Sequence, residues 1–325
     1  MSALGLGTWQ FGSGDWGYGT SYAEEIAPRI VTRSLDLGVT LFDTAEAYAF
    51  GHSERILGEA LGARRADAFV ATKLFPILPF DPVVGRRARG SLRRLGTDAV
   101  DLYQVHWHNP VVPVRTTMTA MGKLQREGLV RAVGVSNFSL AHWLEAERTL
   151  GGPVLSNQVK YSLIDRGPEE ELVPWAQAND RIVIAYSPLS QGLLSGRYGP
   201  DNLPTGLRSG TPAFLPENVR RLEPVLAVLR EVADAHGATP SQVALAWLLR
   251  RPNVVVIPGA SSVEQAESNA AAADLELTDD EDDALTSASD AFDPIRGAAA
   301  VPALARVRME KVSKRVQRAV EGLKQ

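Results

Sequence analysis

Residues 68–106 read AFVATKLFPILPFDPVVGRRARGSLRRLGTDAVDLYQVH, and this stretch contains the repeating unit that decides the fold. Two short apolar, β-rich runs, Ala68–Lys73 and Val100–His106, flank the amphipathic segment Pro82–Leu95. Apolar residues follow one another in these runs more than they alternate with polar ones. This pattern is expected for strands of a parallel sheet that are buried on both faces. The stretch therefore predicts a strand, a crossover helix and a second parallel strand.

The same alternation continues toward both ends of the chain. The other predicted strands are Leu4–Trp9, Thr40–Asp43, Ala132–Ser136, Leu155–Tyr161, Ile182–Ser187 and Val254–Pro258. The other predicted helices are Glu24–Leu37, Ser53–Leu61, Val114–Glu127, Leu140–Leu150, Glu169–Ala178, Glu217–His236, Pro240–Arg250 and Val263–Ala272. Eight strand–helix units in 325 residues predict an α/β fold, a closed (β/α)8 TIM barrel, in a single domain over residues 1–325.

Composition narrows the function classes. The formal net charge of −4 gives no indication of nucleic acid or of a membrane surface as a partner. The chain has no cysteine, which excludes disulfides, thiol nucleophiles and thiolate metal sites. The five histidines are too scattered to predict a metal site. We find no leader and no apolar run of about 18 residues, and we expect a cytoplasmic protein.

Polar side chains stand where the predicted strands end, and a TIM barrel carries its chemistry at that end. Asp43, Lys73 and His106 end three successive strands, which is hard to explain as packing. The other residues with chemically useful side chains or small size at strand ends are Thr8, Ser136, Asn137, Gln158, Ser187 and Gly259, together with the aromatic Trp9. The carboxyl ends of the strands are therefore the predicted active site.

Residues Gly12–Gly17 match the G-x-G-x-x-G motif of dinucleotide-binding proteins and directly follow the first predicted strand. In that motif a helix opens at once, so that its N-terminus meets the pyrophosphate. Here residues 18–21 intervene and helical character begins only near Glu24. We interpret the segment as a loop over the mouth of the barrel.

Eight groups of residues form a series of sequence blocks along most of the chain. The blocks are Phe42–Tyr48, Gly51–Glu54 with Leu57–Gly58, Ala71–Lys73, Asp101–Trp107, Gly134–Phe138, Asn157–Gln158, Tyr186–Leu189 and Ile257–Ser261. Taken together and in order, these blocks resemble the aldo-keto reductases, and in detail the branch that also contains the potassium-channel β subunits. The resemblance implies a (β/α)8 barrel that binds a nicotinamide cofactor without a Rossmann domain.

The resemblance places the catalytic residues at Asp43, Tyr48, Lys73 and His106, and implies reduction of a carbonyl by hydride transfer. Tyr48 would protonate the substrate oxygen, and His106, as the neutral ring, would orient it. A nearby ammonium favours the phenolate and lowers a phenol pKa of about 10, by up to about three units before desolvation subtracts. Asp43 would keep Lys73 charged.

The implied cofactor is NADP(H), with NAD as the alternative. Ser268 replaces a glutamate that the family often has, and Gln265 replaces an arginine that binds the 2′-phosphate in many members. Arg208 favours NADPH, because a guanidinium can donate two parallel hydrogen bonds to a phosphate group. The predicted cofactor contacts are Thr8, Trp9, Ser136, Asn137, Gln158, Tyr186, Ser187, Pro188, Leu189, Ser190, Gln191, Arg197, Arg208, Gly259, Ser261, Gln265 and Asn269.

The predicted substrate is a small-molecule carbonyl compound, an aldehyde, ketone or sugar. Two alternative functions stay open: a redox-sensing regulatory subunit with a protein partner, and an NAD-linked sugar or polyol dehydrogenase. The predicted substrate pocket is aromatic and consists of Trp16, Tyr18, Phe75, Trp107 and His108.

The C-terminal segment, residues 293–325, is predicted to be a basic helical tail. From Arg296 onward it has eight basic and two acidic residues and an apolar stripe at helical spacing. The chain begins almost at its first strand, whereas the family usually opens with a hairpin that floors the barrel. We expect the tail to dock on its own domain, against the acidic stretch Asp279–Asp283, and so to take the place of that hairpin. The alternatives are that the tail binds an acidic surface or partner, and that the start of the chain lies further upstream.

Overall fold

Strands and helices alternate along the part of the chain that the computed structural model describes, which is residues 1–12, 22–204, 208 and 210–305. The strands are β1 Gly5–Gly7, β2 Leu41–Asp43, β3 Phe69–Leu74, β4 Val100–Val105, β5 Val130–Ser136, β6 Ser156–Lys160, β7 Ile182–Tyr186 and β8 Val254–Val256. The α-helices are α1 Ala27–Asp36, α2 His52–Leu61, α3 Asp81–Leu95, α4 Val114–Arg126, α5 Leu140–Leu150, α6 Leu172–Ala178, α7 Pro216–Arg221, α8 Glu223–Ala235, α9 Pro240–Leu249, α10 Val263–Ala270 and α11 Asp279–Asp290.

The eight strands form one parallel sheet in sequence order that closes on itself. Parallel bridges join Leu4 to Val256 and Gly7 to Gly259, so β1 lies beside β8. The Gly7 N–H donates to the Pro258 carbonyl at 3.0 Å, which continues the ladder across the closure. The predicted (β/α)8 barrel is confirmed.

Two apolar clusters hold the barrel together. The inner one fills the barrel and includes Leu41, Leu102 and Ile184, each at most 1% exposed. The larger one lies between the outer faces of the strands and the helices. Because both strand faces are covered, the strands have continuous apolar runs. Among the described residues no helix has the length and apolar character needed to cross a bilayer.

Three of the helix starts predicted from the sequence are present with their side-chain caps. Ser139, Thr239 and Ser262 accept hydrogen bonds from the first-turn N–H groups of α5, α9 and α10. These caps satisfy N–H groups that a helix leaves without an internal partner. The cap at Ser262 fixes the start of α10, which faces the candidate site described below.

Two helical segments differ from the prediction. Glu217–His236 is not one helix but two, α7 and α8, because Pro224 fits only the first turn of a helix and so starts a new one. Helix α11 was not predicted, although Thr278 and Glu281 form the capping box that opens it.

The acidic stretch that we expected to hold the tail is instead the first turn of α11. Two of its members pair with α9-terminal arginines, Asp279 with Arg250 at 2.6 Å and Asp282 with Arg251 at 2.5 Å. The tail is described only to residue 305, and residues 300–305 are helical. Residues 306–325 lie outside the described part, so docking of the tail stays a prediction.

Candidate active site

Asp43, Lys73 and Tyr48 meet at the carboxyl ends of β2 and β3. Lys73 Nζ donates to Asp43 Oδ1 at 2.5 Å and to Tyr48 Oη at 3.1 Å. Its third acceptor is the Thr44 carbonyl at 2.9 Å, so each ammonium proton has a partner. The Lys73 side chain is fully buried and that of Asp43 is 3% exposed. The ammonium therefore links a carboxylate to a phenol with little screening by water.

Burial has the largest influence on the pKa of Tyr48. It raises the pKa of the phenol above the ordinary 10.0, and this effect is larger than the lowering by Lys73; the Asp43 carboxylate raises the pKa further. The expected lowering by Lys73 is present, but desolvation more than cancels it. Burial also lowers the pKa of Lys73, but Asp43 and Tyr48 together outweigh burial and raise it. At neutral pH the site therefore holds a protonated phenol beside a charged ammonium.

His106 directly follows β4 and is enclosed by aromatic side chains. Its ring stacks on Trp107 with the centroids 3.9 Å apart and meets Tyr48 edge-on at 5.8 Å. Its Nδ1 is buried without a hydrogen-bond partner among the described residues. Burial, with a smaller contribution from Lys73, lowers the pKa of His106 to about 3. The ring is therefore neutral at physiological pH.

His106 should make the folding stability depend on pH. The unfolded chain protonates this ring near its ordinary pKa of 6.5, whereas the folded chain does so only at about 3. Between these values the unfolded state binds more protons, so stability falls as the pH falls, by up to about 1.4 kcal/mol per pH unit. Urea unfolding at about pH 7 and about pH 5 should therefore show a larger loss for wild type than for His106→Gln. Equal losses in the two proteins would contradict this expectation.

A cavity of about 730 Å³ opens beside this cluster. Cofactor and small-molecule sites span roughly 300–1,000 Å³, so the volume is suitable for either. Most residues that the sequence predicted for the site line this cavity. They are Trp9, Asp43, Tyr48, His106, Trp107, Ser136, Asn137, Gln158, Tyr186, Ser187, Pro188, Leu189, Gln191, Arg197, Arg208, Gly259, Ser261, Gln265 and Asn269.

Two predicted cofactor contacts, Thr8 and Ser190, lie behind the cavity wall. The fully buried Thr8 hydroxyl donates to the Asp43 carbonyl at 2.9 Å and lies 2.8 Å from the Ser53 hydroxyl. Ser190 is 4% exposed, and its hydroxyl lies 2.9 Å from that of Ser162. Both hydroxyls form hydrogen bonds to neighbouring segments of the protein, and neither residue lines the cavity. Thr8 and Ser190 therefore support the residues that form the wall.

The predicted substrate pocket is only partly described. Trp107 lines the cavity, and Phe75 lies behind it with the two rings edge-on at 5.5 Å. Trp16 and Tyr18, like most of the glycine-rich segment after Gly12, lie outside the described residues.

The structure corrects the prediction for His108. Its ring stacks on His142 at 3.9 Å and meets Phe138 edge-on at 5.8 Å, away from the main cavity. Strand β4 ends at Val105, so the two-residue alternation of side chains does not continue to His108.

Sequence reasoning missed part of the cavity wall. Thr239 and Ser241, at the start of α9, line it beside the start of α10, and Tyr198 accepts from Arg208 Nη1 at 3.0 Å. Thr239 directly precedes a predicted helix, and a threonine in that place indicates a helix cap and not a ligand contact. The other lining residues not predicted as contacts are Gly7, Gln10, Gly192, Ser195, Ile257, Pro258, Ala260 and Ser268.

Three lining residues have left-handed backbone conformations that side chains other than glycine rarely adopt. Their φ angles are 57° at Asn137, 51° at Ser187 and 58° at Gln191. Such residues cost of order 1–3 kcal/mol each and cluster at ligand sites, where the surrounding structure holds them. Their position here is an independent indication that the cavity is a functional site.

Near Tyr48 the cavity wall is a network of amides and hydroxyls. Gln158 Nε2 donates to Asp43 Oδ2 at 2.7 Å, which ties this amide to the ion pair. Asn137 Nδ2 donates to Ser136 Oγ at 3.0 Å, and Asn137 Oδ1 accepts from Tyr186 Oη at 3.1 Å. Each of these donors makes at least one hydrogen bond within the protein, and the amide and hydroxyl oxygens of the network offer lone pairs to a ligand. Such acceptors match the amino group of a carboxamide.

The far end of the cavity is built around the start of α10. Gln265 Oε1 accepts from the Ser261 N–H at 2.8 Å and from its hydroxyl at 2.9 Å. Asn269 Nδ2 donates to the Gly259 carbonyl at 3.3 Å. A helix N-terminus presents N–H groups and a partial positive charge, which favours a phosphate. The residues at the two ends of the cavity therefore fit a molecule with a carboxamide at one end and phosphate groups toward the other.

Comparisons with known proteins agree with this geometry. The model of the Aldo/keto reductase family matches residues 3–290. An uncharacterised oxidoreductase of Mycobacterium tuberculosis is 54% identical over 315 residues, 97% of each chain. An NADH-specific methylglyoxal reductase of Escherichia coli is 32% identical over 302 residues, 86% of this chain and 92% of its own. The structure of a Klebsiella pneumoniae aldo/keto reductase in complex with NADP and acetate has a TM-score of 0.71 at 33% identity, covering 91% of this chain and 93% of that one.

Proposed function

Because this chain belongs to the aldo/keto reductase family and is an NAD(P)H-dependent oxidoreductase of carbonyl compounds, we propose that it prefers NADPH and uses Tyr48 as its proton donor. One observation carries the assignment of Tyr48. Its hydroxyl is at the wall of the cavity and 3.1 Å from the buried ammonium of Lys73. No other phenol among the described residues is joined to a buried ion pair in this way.

The proposed proton transfer follows from that contact. The nicotinamide, when bound, supplies a hydride to the carbonyl carbon. As negative charge develops on the carbonyl oxygen, Tyr48 transfers its proton to that oxygen and becomes a phenolate. The Lys73 ammonium stabilises the phenolate, because it donates to the same oxygen and is held in place by Asp43. Without a neighbouring cation, a buried phenolate would be costly.

His106 is proposed to orient the substrate. Its ring is neutral, lines the cavity and lies beside Tyr48, so a ring N–H can donate to the carbonyl oxygen. A donor aimed at the oxygen that gains charge stabilises the transition state more than the ground state. A histidine held by stacking on Trp107 is suited to this task because it needs little reorganisation.

Aromatic side chains support an apolar or aromatic carbonyl compound as the substrate class. Trp9 and Trp107 line the cavity and remain 47% and 43% exposed. Large exposed apolar side chains at the mouth of a cavity are typical of a site that binds an apolar group.

The preference for NADPH is proposed from Arg208. Its guanidinium lies at the cavity wall, where Nη1 donates to Tyr198 Oη, and it carries a permanent positive charge that can pair with a phosphate. The NADH-specific relative makes NAD the competing cofactor.

A tryptophan-fluorescence titration with NADPH and NADH tests the cofactor preference. We expect NADPH to bind more tightly to the wild type. Arg208→Gln should weaken NADPH binding by about tenfold or more, since a hydrogen bond to a charged group contributes about 1.5–3 kcal/mol. Binding of NADH should change much less, because NADH lacks the 2′-phosphate. Equal affinities of the wild type for both nucleotides would contradict the preference.

A further inference from the structure

Glu46 connects the loop of the proposed proton donor to the strand that carries its lysine. It stands three residues after Asp43 and two before Tyr48. Its Oε1 accepts from the backbone N–H of Phe75 at 2.6 Å, and Phe75 stands two residues after Lys73. The Glu46 side chain is 9% exposed, so this bond is shielded from water. A carboxylate in the loop after β2 therefore bonds directly to the backbone that follows β3.

Arg87, on α3, completes the connection. Its Nε lies 2.9 Å from Glu46 Oε1 and 3.1 Å from Glu46 Oε2. Its Nη1 donates to the Ile77 carbonyl at 3.3 Å. A charge-assisted pair of this kind adds direction as well as energy. The loop after β3 is thus held at Phe75 by Glu46 and at Ile77 by Arg87.

This loop shapes the active site on two sides. The Phe75 ring meets His106 edge-on at 6.3 Å and Trp107 at 5.5 Å, so it supports the wall that faces the substrate. The contact from Lys73 to Tyr48 joins the end of β3 to the loop after β2, and Glu46 joins that same loop to the residues that directly follow β3. A shift between these two segments would therefore change the packing of Phe75 on His106 and the contact between Lys73 and Tyr48.

We propose that Glu46 and Arg87 form a positioning pair, which fixes the Tyr48 hydroxyl against the Lys73 ammonium and holds Phe75 behind His106. Neither member of the pair is part of the cavity wall formed by the described residues, so both act through other residues. The inference rests on the proposed function, because it takes Tyr48 to be the proton donor.

A second glutamate–arginine pair, whose arginine is also on α3, provides a control. Glu54, on α2, lies 2.6 Å from Arg94, which is also on α3, and its side chain is fully buried. Its other oxygen accepts from Thr72 Oγ1 at 2.6 Å. This pair packs α2 onto α3 and bonds to no residue of the loop after β3. Its loss should therefore lower stability without misplacing Tyr48.

The test compares Glu46→Ala, Glu46→Gln and Glu54→Gln. We expect Glu46→Ala to lower kcat by about tenfold to about 10²-fold, because a misplacement of about 1 Å costs that much. The Kd for NADPH should stay near that of the wild type. Glu46→Gln keeps an acceptor for the Phe75 N–H and should recover most of kcat. Glu54→Gln should lower the unfolding midpoint and leave the kcat of the folded enzyme unchanged. Arg87→Met provides the same readouts if Glu46→Ala does not fold.

A second readout needs no turnover. In protein labelled with carbon-13 at the tyrosine ζ position, the Tyr48 signal, assigned with Tyr48→Phe, should shift in Glu46→Ala and stay in place in Glu54→Gln. A Tyr48 signal and a kcat that both match wild type in Glu46→Ala would overturn the positioning role. A wild-type protein that reduced no carbonyl would count against the proposed function, and the Tyr48 signal would then decide the positioning role alone.

Discussion

Replacing Tyr48 with phenylalanine is expected to lower kcat by about 10²–10⁴-fold, the usual contribution of a positioned general acid. The phenol is protonated at neutral pH, since its pKa lies above the ordinary 10.0 even beside Lys73, so it can give a proton to the carbonyl oxygen. The variant keeps the ring, whose edge-on contact with His106 should persist. Nucleotide binding should therefore be nearly unchanged, and the loss should appear in kcat measured at saturating NADPH.

Tyr103→Phe is the matched control for this experiment. Tyr103 is on β4 and fully buried, and its hydroxyl has no hydrogen-bond partner among the described residues. Removing that hydroxyl should leave kcat unchanged, whereas removing the one on Tyr48 should not. A Tyr48→Phe enzyme that kept most of its activity would show that another group donates the proton.

Asp43→Ala is expected to lower the free energy of unfolding by about 3–5 kcal/mol at neutral pH, because it leaves a buried charge without its partner. The Lys73 side chain is fully buried, and Asp43 Oδ1 at 2.5 Å is its negatively charged contact. Asp43 Oδ2 also accepts from Gln158 Nε2, so the variant loses a second buried bond. Urea unfolding at constant pH measures the loss.

A double-mutant cycle separates the ion pair from simple loss of packing. Lys73→Met removes the buried ammonium, so Asp43→Ala should cost much less in that background than in wild type. Residues in direct contact commonly show interaction energies of about 0.5–3 kcal/mol. Strictly additive losses would mean that Asp43 and Lys73 stabilise the fold independently, and would contradict a stabilising ion pair between them.

The fold was predictable because the alternation of apolar strands with amphipathic helices repeats along the chain. Each strand of a closed barrel is buried on both faces, so Ala68–Lys73 and Val100–His106 are continuous apolar runs separated by one amphipathic helix. Helix α11 escaped prediction because its first turn is a cluster of carboxylates. Carboxylates are favourable at a helix N-terminus, because they face its partial positive charge. By composition alone, however, such a cluster cannot be told from a charged surface segment.

The site was predictable where it depends on strand ends, and less so where it depends on loops and on burial. Asp43, Lys73 and His106 stand at or directly beside the ends of adjacent strands, so register alone brings them together. Strand β4 ends at Val105, one residue before the end that the sequence pattern predicts, and His108 lies beyond the strand, where side chains need not alternate. The net pKa shift of Tyr48 depends on how deeply the phenol is buried, and spacing along a chain carries no measure of desolvation.

The measurement that tests the central claim most directly is the stoichiometry of the reaction on a panel of carbonyl compounds. Purified protein is mixed with NADPH and an aromatic aldehyde, an aliphatic aldehyde, methylglyoxal or a sugar, and NADPH loss is compared with the alcohol formed. We predict one alcohol per NADPH consumed, fastest with the aromatic aldehyde. Tight binding of NADPH with no alcohol from any compound would contradict carbonyl reduction by this protein and favour a nucleotide-sensing regulatory subunit.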